Sequence, residues 1–190
     1  ANLMGAALVA RRLGVSEEVI RNVLHRFGRK HGDNPGRLQR YRIRGIDVLT
    51  DYAHNPDGLA NLLDVGRRLN AEGRLALVLG QAGNRDNAEI LALADVALRF
   101  RPDYIVLKDL QGYMRGRAFG EIPQLLREHL LDCGFDPANL RHEQAELDAV
   151  RACLEWAEPG DLLVLPVHSA TAQEAVSTML SQVADPEDGD

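Results

Sequence analysis

The chain has 190 residues, 45% hydrophobic and 26% charged, which suits one compact domain with a short appendage and allows a sizeable core. A formal net charge of -6 gives no general attraction to nucleic acid or anionic lipid, and no run approaches eighteen consecutive apolar residues, so no nucleic-acid partner and no membrane span are expected. Cys133 and Cys153 form no Cys-x-x-Cys pair and no His stands at metal-ligand spacing, so the reading is two buried reduced thiols, no disulfide framework and no metal site.

The chain opens directly on helical spacing, with Leu3, Ala6, Ala7, Ala10 and Leu13 on one face and Gly14 as a stop. With no initiator Met or leading loop, this start looks cut from something longer. Arg11 and Arg12 follow the apolar stretch, the reverse of a signal peptide, and the expected location is cytoplasmic. A second helix is predicted from Ser16 as N-cap, burying Val19, Ile20, Val23, Leu24 and Phe27. The polar run GRKHGDNPG (28–36) reads as a linker, which makes 1–36 an appendage. Two strand-like runs, 38–43 and 46–51, flank Arg44 and Gly45 as a hairpin.

Beyond Asp51 the pattern predicts helices over 56–70, 87–100, 121–132, 145–157 and 171–183, with strands over 75–80, 104–108 and 162–166. Strands separated by helices imply an α/β fold with a mostly parallel sheet and helices on both faces. Ligands of such sheets bind beyond the carboxyl ends of the strands. The acidic run 185–190 is expected to be a disordered tail.

The chemistry-bearing residues follow the strands. In DYAHNP (51–56), Asn55 and Pro56 suit a helix start, while Asp51 could accept ribose hydroxyls and His54 could meet a phosphate. The loop GQAGNRD (80–86) could bring backbone amides to an anion through Gly83, Asn84, Arg85 and Asp86. It is not a phosphate loop, because no G-x-x-x-x-G-K-[ST] or G-x-G-x-x-G occurs. Lys108, Arg115 and Arg117 gather cations before a helix that carries Glu121 near its start, a set able to hold a carboxylate or phosphate. His168-Ser169 lacks a G-x-S-x-G elbow, and Ser169 or Thr171 reads as a helix cap. His25, His31, His129 and His142 read as surface or linker residues.

Taken in order, N-x-x-x-A-A near the start, PGR (35–37), DYAHNPDGL (51–59), the G-x-A-G-N-R-D loop and RGRAFGEI (115–122) resemble the Mur ligase family. That family also holds folylpolyglutamate synthase and cyanophycin synthetase, and the likeness is nearest to the terminal region of the last. One departure is Asn84, where cyanophycin synthetases tend to carry Asp. The resemblance implies that 1–36 are the terminal helices of a central ATPase domain plus linker, and that 37–184 are a Rossmann-like carboxyl-terminal domain with an amino-terminal β-hairpin. It implies an ATP-dependent carboxylate–amine ligase (EC 6.3.2 type) acting through an acyl phosphate, with this fragment inactive alone. Arg37, Asp51, His54 and Asn55 would bind nucleotide; Lys108, Arg115, Arg117 and Glu121 would bind an amino acid or peptide-like substrate. ATP and Mg2+ are the implied cofactors, with Mg2+ held mainly by the central domain. Two other readings are a stand-alone nucleotide-binding module, which the absent glycine motifs oppose, and a non-catalytic interaction module.

Overall fold

A computed structural model of the protein describes residues 2–27, 34 and 36–185. Most of the expected linker (28–36) and residues 186–190 of the expected tail lie outside the described residues. The chain divides into two compact units, Ala1–Pro35 and Gly36–Asp190.

The first unit holds two helices, α1 (Asn2–Arg12) and α2 (Glu17–Arg26). Gly14, at φ 85°, takes the left-handed turn after α1, and Ser16 caps α2 by accepting the Val19 amide at 3.4 Å. The expected burial of the α2 apolar face is not found: no residue of α2 is buried, and Val19 remains 50% exposed. Two short helices have too little volume to enclose a core of their own.

The second unit is a six-stranded sheet. Its strands are β1 (Gln39–Ile43), β2 (Ile46–Asp51), β3 (Leu75–Leu79), β4 (Tyr104–Lys108), β5 (Leu140–Glu143) and β6 (Leu162–Pro166), in the order β1-β2-β6-β3-β4-β5. Only the β1–β2 pair is antiparallel. Its turn, Arg44-Gly45, has both residues at positive φ (48° and 81°), the backbone of a two-residue hairpin. Asp185 holds that turn by accepting the Arg44 and Gly45 amides at 2.8 and 3.2 Å, so this first residue of the expected tail is tied to the fold.

Helices α3 (Pro56–Leu69), α4 (Asn87–Arg99) and α5 (Glu121–Asp132) cover one face; α6 (Glu146–Trp156) and α7 (Ala170–Val183) cover the other. The apolar runs of β3, β4 and β6 are buried throughout because alternate side chains serve two cores. Leu75, Leu77 and Leu79 pack beneath α3 and α4, whereas Ala76 and Val78 join the core with α6. Strand β5 was not expected from sequence: of its four residues only Leu140 is buried, so an edge strand leaves almost no apolar alternation to read. Of the two thiols only Cys153 is buried; Cys133 is exposed. Among the described residues no helix is long and apolar enough to cross a membrane.

Candidate functional site

The parallel strands β2, β6, β3 and β4 all end at one rim of the sheet, and the segments that follow them meet there. After β2, Asn55 accepts the Gly58 amide at 2.7 Å, and Pro56 occupies the first turn of α3. The Asn55 oxygen expected to face nucleotide thus caps the helix. Asp51 uses Oδ2 to accept the Leu38 amide at 2.7 Å, and its carbonyl accepts the Val167 amide. Leu38 sits at φ 43°, a conformation that costs a non-glycine residue on the order of 1–3 kcal/mol. Asp51 therefore fixes the chain next to Arg37 in a shape it would not hold unaided.

Tyr52 is the hub of this rim. The Arg37 guanidinium lies 4.7 Å from its ring centre, the His54 ring 5.0 Å away and the His168 ring 5.6 Å away, edge-on. Arg37 is exposed and His54 half-buried, so both present cationic or hydrogen-bonding groups at the rim. The His54 carbonyl accepts from Gln81 Nε2 at 2.9 Å, tying the loop after β2 to the loop after β3. Tyr52 and Gln81 were not singled out from sequence, and His168 was weighed only as the neighbour of Ser169 and set aside. A usable signal existed for two of them, since Tyr52 lies inside DYAHNP and His168 follows β6 just as that string follows β2.

Lys108, expected at the crevice as a substrate-binding cation, is fully buried. It ends β4 on the α6 side of the sheet, pairs with Glu146 and donates to the Pro166 carbonyl at 2.6 Å. Burial pushes the Lys108 ammonium down, and Glu146 opposes that shift. Burial alone would raise Glu146, but the facing His168 and the Lys108 ammonium outweigh it and hold this carboxyl well below the usual range. Its two oxygens also accept the His168 and Ser169 amides, each at 2.8 Å. Burial, with repulsion from Lys108, pushes the His168 imidazole below its ordinary range. The Ala53 carbonyl accepts from His168 Nε2 at 3.0 Å.

Arg117 is likewise committed to the protein. Its guanidinium donates to the Arg85 carbonyl, Asn87 Oδ1 and Glu121 Oε1, each at 2.8 Å, and Nε reaches the Gly83 carbonyl at 3.3 Å. Glu121 completes the turn by accepting the Ala118 amide. Gly83 is needed for close approach, because a Cβ there would fall 1.8 Å from the Met114 carbonyl oxygen, and its amide donates to Tyr113 O. That amide is not free for an anion as expected. Asp86 caps α4 by accepting the Glu89 amide, Arg85 pairs with Glu89, and Asn84 is exposed. Arg115 remains exposed at φ 49°, its guanidinium 5.8 Å from the Tyr113 ring centre. Ser169 caps α7 as expected. Beside it Asp109, Gln111, Glu146, Ser169 and Thr171 help to line a cleft of about 290 Å3. His142, read from sequence as a surface residue, bonds the buried Asp109 at 2.8 Å.

Residues 36–166 match the family described as Mur ligase, glutamate ligase domain. A UDP-N-acetylmuramoyl-L-alanyl-D-glutamate–2,6-diaminopimelate ligase of Geobacter metallireducens is 33% identical over 98% of this chain and 38% of its own length. A cyanophycin synthetase of Crocosphaera subtropica is 30% identical over 90% of this chain and 19% of its own. Among solved structures, Escherichia coli FolC in complex with DHPP and ADP superposes with a TM-score of 0.65 at 26% identity, covering 93% of this chain and 37% of that one. The chain thus spans well under half the length of these relatives.

Proposed function

From the premise that the chain belongs to the Mur ligase family, through its glutamate ligase domain, we propose that it is the carboxyl-terminal part of an ATP-dependent ligase joining a carboxylate to an amine through an acyl phosphate. The observation that carries this reading is the grouping of exposed Arg37 and half-buried His54 around Tyr52 at the carboxyl rim of the sheet. Phosphoryl transfer needs little covalent chemistry from protein but much charge neutralisation and positioning. Arg37 and His54 supply the neutralising groups, and Asp51 offers a ribose hydroxyl the oxygen that Leu38 does not occupy. Exposed Arg115 is the cation of its loop best placed to orient the carboxylate of an amino acid or peptide-like substrate. Lys108, Arg117 and Glu121 act behind these groups, as the framework that fixes the loops.

Mg2+ prefers octahedral oxygen ligands. The one cluster of metal donors found among the described residues carries a thiol and an imidazole, which does not suit that ion. The proposed role of this chain needs no Mg2+ ligand of its own. The grip on the ATP phosphates, absent from the sequence as a motif, belongs to the central ATPase domain, of which α1 and α2 are the terminal helices, and their exposed apolar side chains are suited to packing against the rest of that domain. A cytoplasmic setting follows from the use of ATP.

In an enzyme that includes the central domain, Arg37→Ala and His54→Ala should each raise the ligation barrier by about 2–4 kcal/mol, read as kcat/KM for phosphate release. Their unfolding free energies should stay within about 0.5 kcal/mol of the parent. Normal turnover in both variants, or activity lost only in proportion to folded protein, refutes the assignment.

A further inference from the structure

On the outer surface of α4 and α5, three side chains of different chemistry point at one place. His129 and Cys133 are four residues apart at the end of α5, so they share a helix face, and Asp95 faces them from α4. Asp95 Oδ1 lies 2.7 Å from His129 Nε2, and Cys133 Sγ lies 3.9 Å from that same nitrogen. All three donor atoms fall within 4.8 Å of one another. In a relay built to activate a thiol, the carboxylate and the sulfur would engage opposite nitrogens of the ring. Here both converge on Nε2, which carries at most one proton, so the arrangement focuses three electron-pair donors on a point rather than passing a proton along a line.

We infer that Asp95, His129 and Cys133 form a surface site for a zinc-like divalent cation, tying α4 to α5. Thiolate, imidazole and carboxylate are the donors zinc takes, with bonds of about 2.0–2.3 Å and tetrahedral angles that place donor atoms roughly 3.3–3.8 Å apart. The pair at 3.9 Å is close to that spacing, and the pair at 2.7 Å opens to it by a small swing of Asp95, whose side chain is 62% exposed. Water fills the fourth position. Binding forms a sulfur–metal bond in place of the S–H bond and releases that proton to the buffer, while His129 takes the tautomer protonated on Nδ1. The sequence reading passed over the i, i+4 spacing of His129 and Cys133, whose third donor, Asp95, comes from another helix. Helices run back against the parallel strands, so the carboxyl end of α5 lies at the opposite end of the sheet from the Arg37–Tyr52–His54 rim.

The experiment is a Co2+ and Zn2+ titration of the whole chain, freed of any purification tag. Co2+ should give a thiolate-to-metal charge-transfer band with the strong visible bands of a tetrahedral site, at one ion per chain. Cys153 is fully buried, so the band reports on Cys133. Zn2+ at about a hundredfold excess over its dissociation constant should raise the melting temperature by roughly 5–10 °C. Cys133→Ser should abolish the band, and His129→Ala and Asp95→Asn should weaken binding by about tenfold or more; circular dichroism confirms that each variant folds. Absence of the band in the parent chain, its survival in Cys133→Ser, or unchanged Zn2+ affinity in His129→Ala overturns the site.

Discussion

Glu146, at the start of α6, ties together the ends of two strands. Through one carboxylate it holds Lys108 at the end of β4 and the amides of His168 and Ser169 after β6. A buried charge with its partner removed is costly, so Glu146→Gln should destabilise the chain by about 3–5 kcal/mol at neutral pH, because Lys108 is left in the core without its counter-charge. The acid response has a definite sign. His168 is depressed in the folded state, so the unfolded chain binds the extra proton first and stability declines as pH falls below about 6.5. Glu146 is depressed too, and its contribution, fully present above about 4.3, is lost as pH falls further. Denaturant unfolding at a series of pH values should therefore show a steepening loss below pH ~4.3 that Glu146→Gln flattens. An identical acid slope in both proteins counts against this account of Glu146. None of this was legible in the sequence, where Lys108 reads as a crevice cation, because the carboxylate that captures it stands 38 residues away on another element. The DYAHNP string was legible because capping residues and chemical residues are adjacent there.

At the scale of elements, the loops after β3 and β4 are held as one body by Arg117. Four acceptors surround its guanidinium, and only 18% of the side chain is exposed. Arg117→Ala should cost about 1–3 kcal/mol, since it leaves carbonyls of the 80–87 loop unpaired, and should speed amide exchange in both loops together. Faster exchange in the 111–120 loop alone would mean that the two loops are not coupled through this side chain. The same geometry explains which elements sequence could reveal. Fully buried strands such as β3 and β6 announce themselves as unbroken apolar runs, and α3 by its Asn55-Pro56 start. β5 does not, because it has one covered edge and mostly exposed side chains. The apolar stripe of α2 was legible as a stripe, but periodicity states which face seeks cover and not whether this chain supplies it.

At the scale of the molecule, the two cores that sandwich the sheet draw every buried apolar residue from positions 41 to 180. None comes from α1 or α2, whose apolar side chains are largely exposed, Leu13 at 78%. Burial of apolar area is the main favourable contribution to folding, at about 25 cal/mol per Å2, so a segment that buries almost none can add little to the stability of the sheet. A chain beginning at Gly36 should therefore fold and melt within about 3 °C of the 190-residue protein, a shift equivalent to roughly 1 kcal/mol. Gly36 is the right place to cut, because it stands before the Leu38 amide that Asp51 anchors and the fold needs that anchor. The shortened chain should also be less prone to self-association, having lost a row of exposed Leu, Val and Met side chains. Thermal melting gives the first quantity and light scattering the second. In the intact chain, amide exchange should be faster throughout α1 and α2 than in β3, β4 and β6. Failure of the shortened chain to fold, or protection of α1 and α2 equal to that of the central strands, would mean that residues 1–35 belong to the cooperative unit of the sheet.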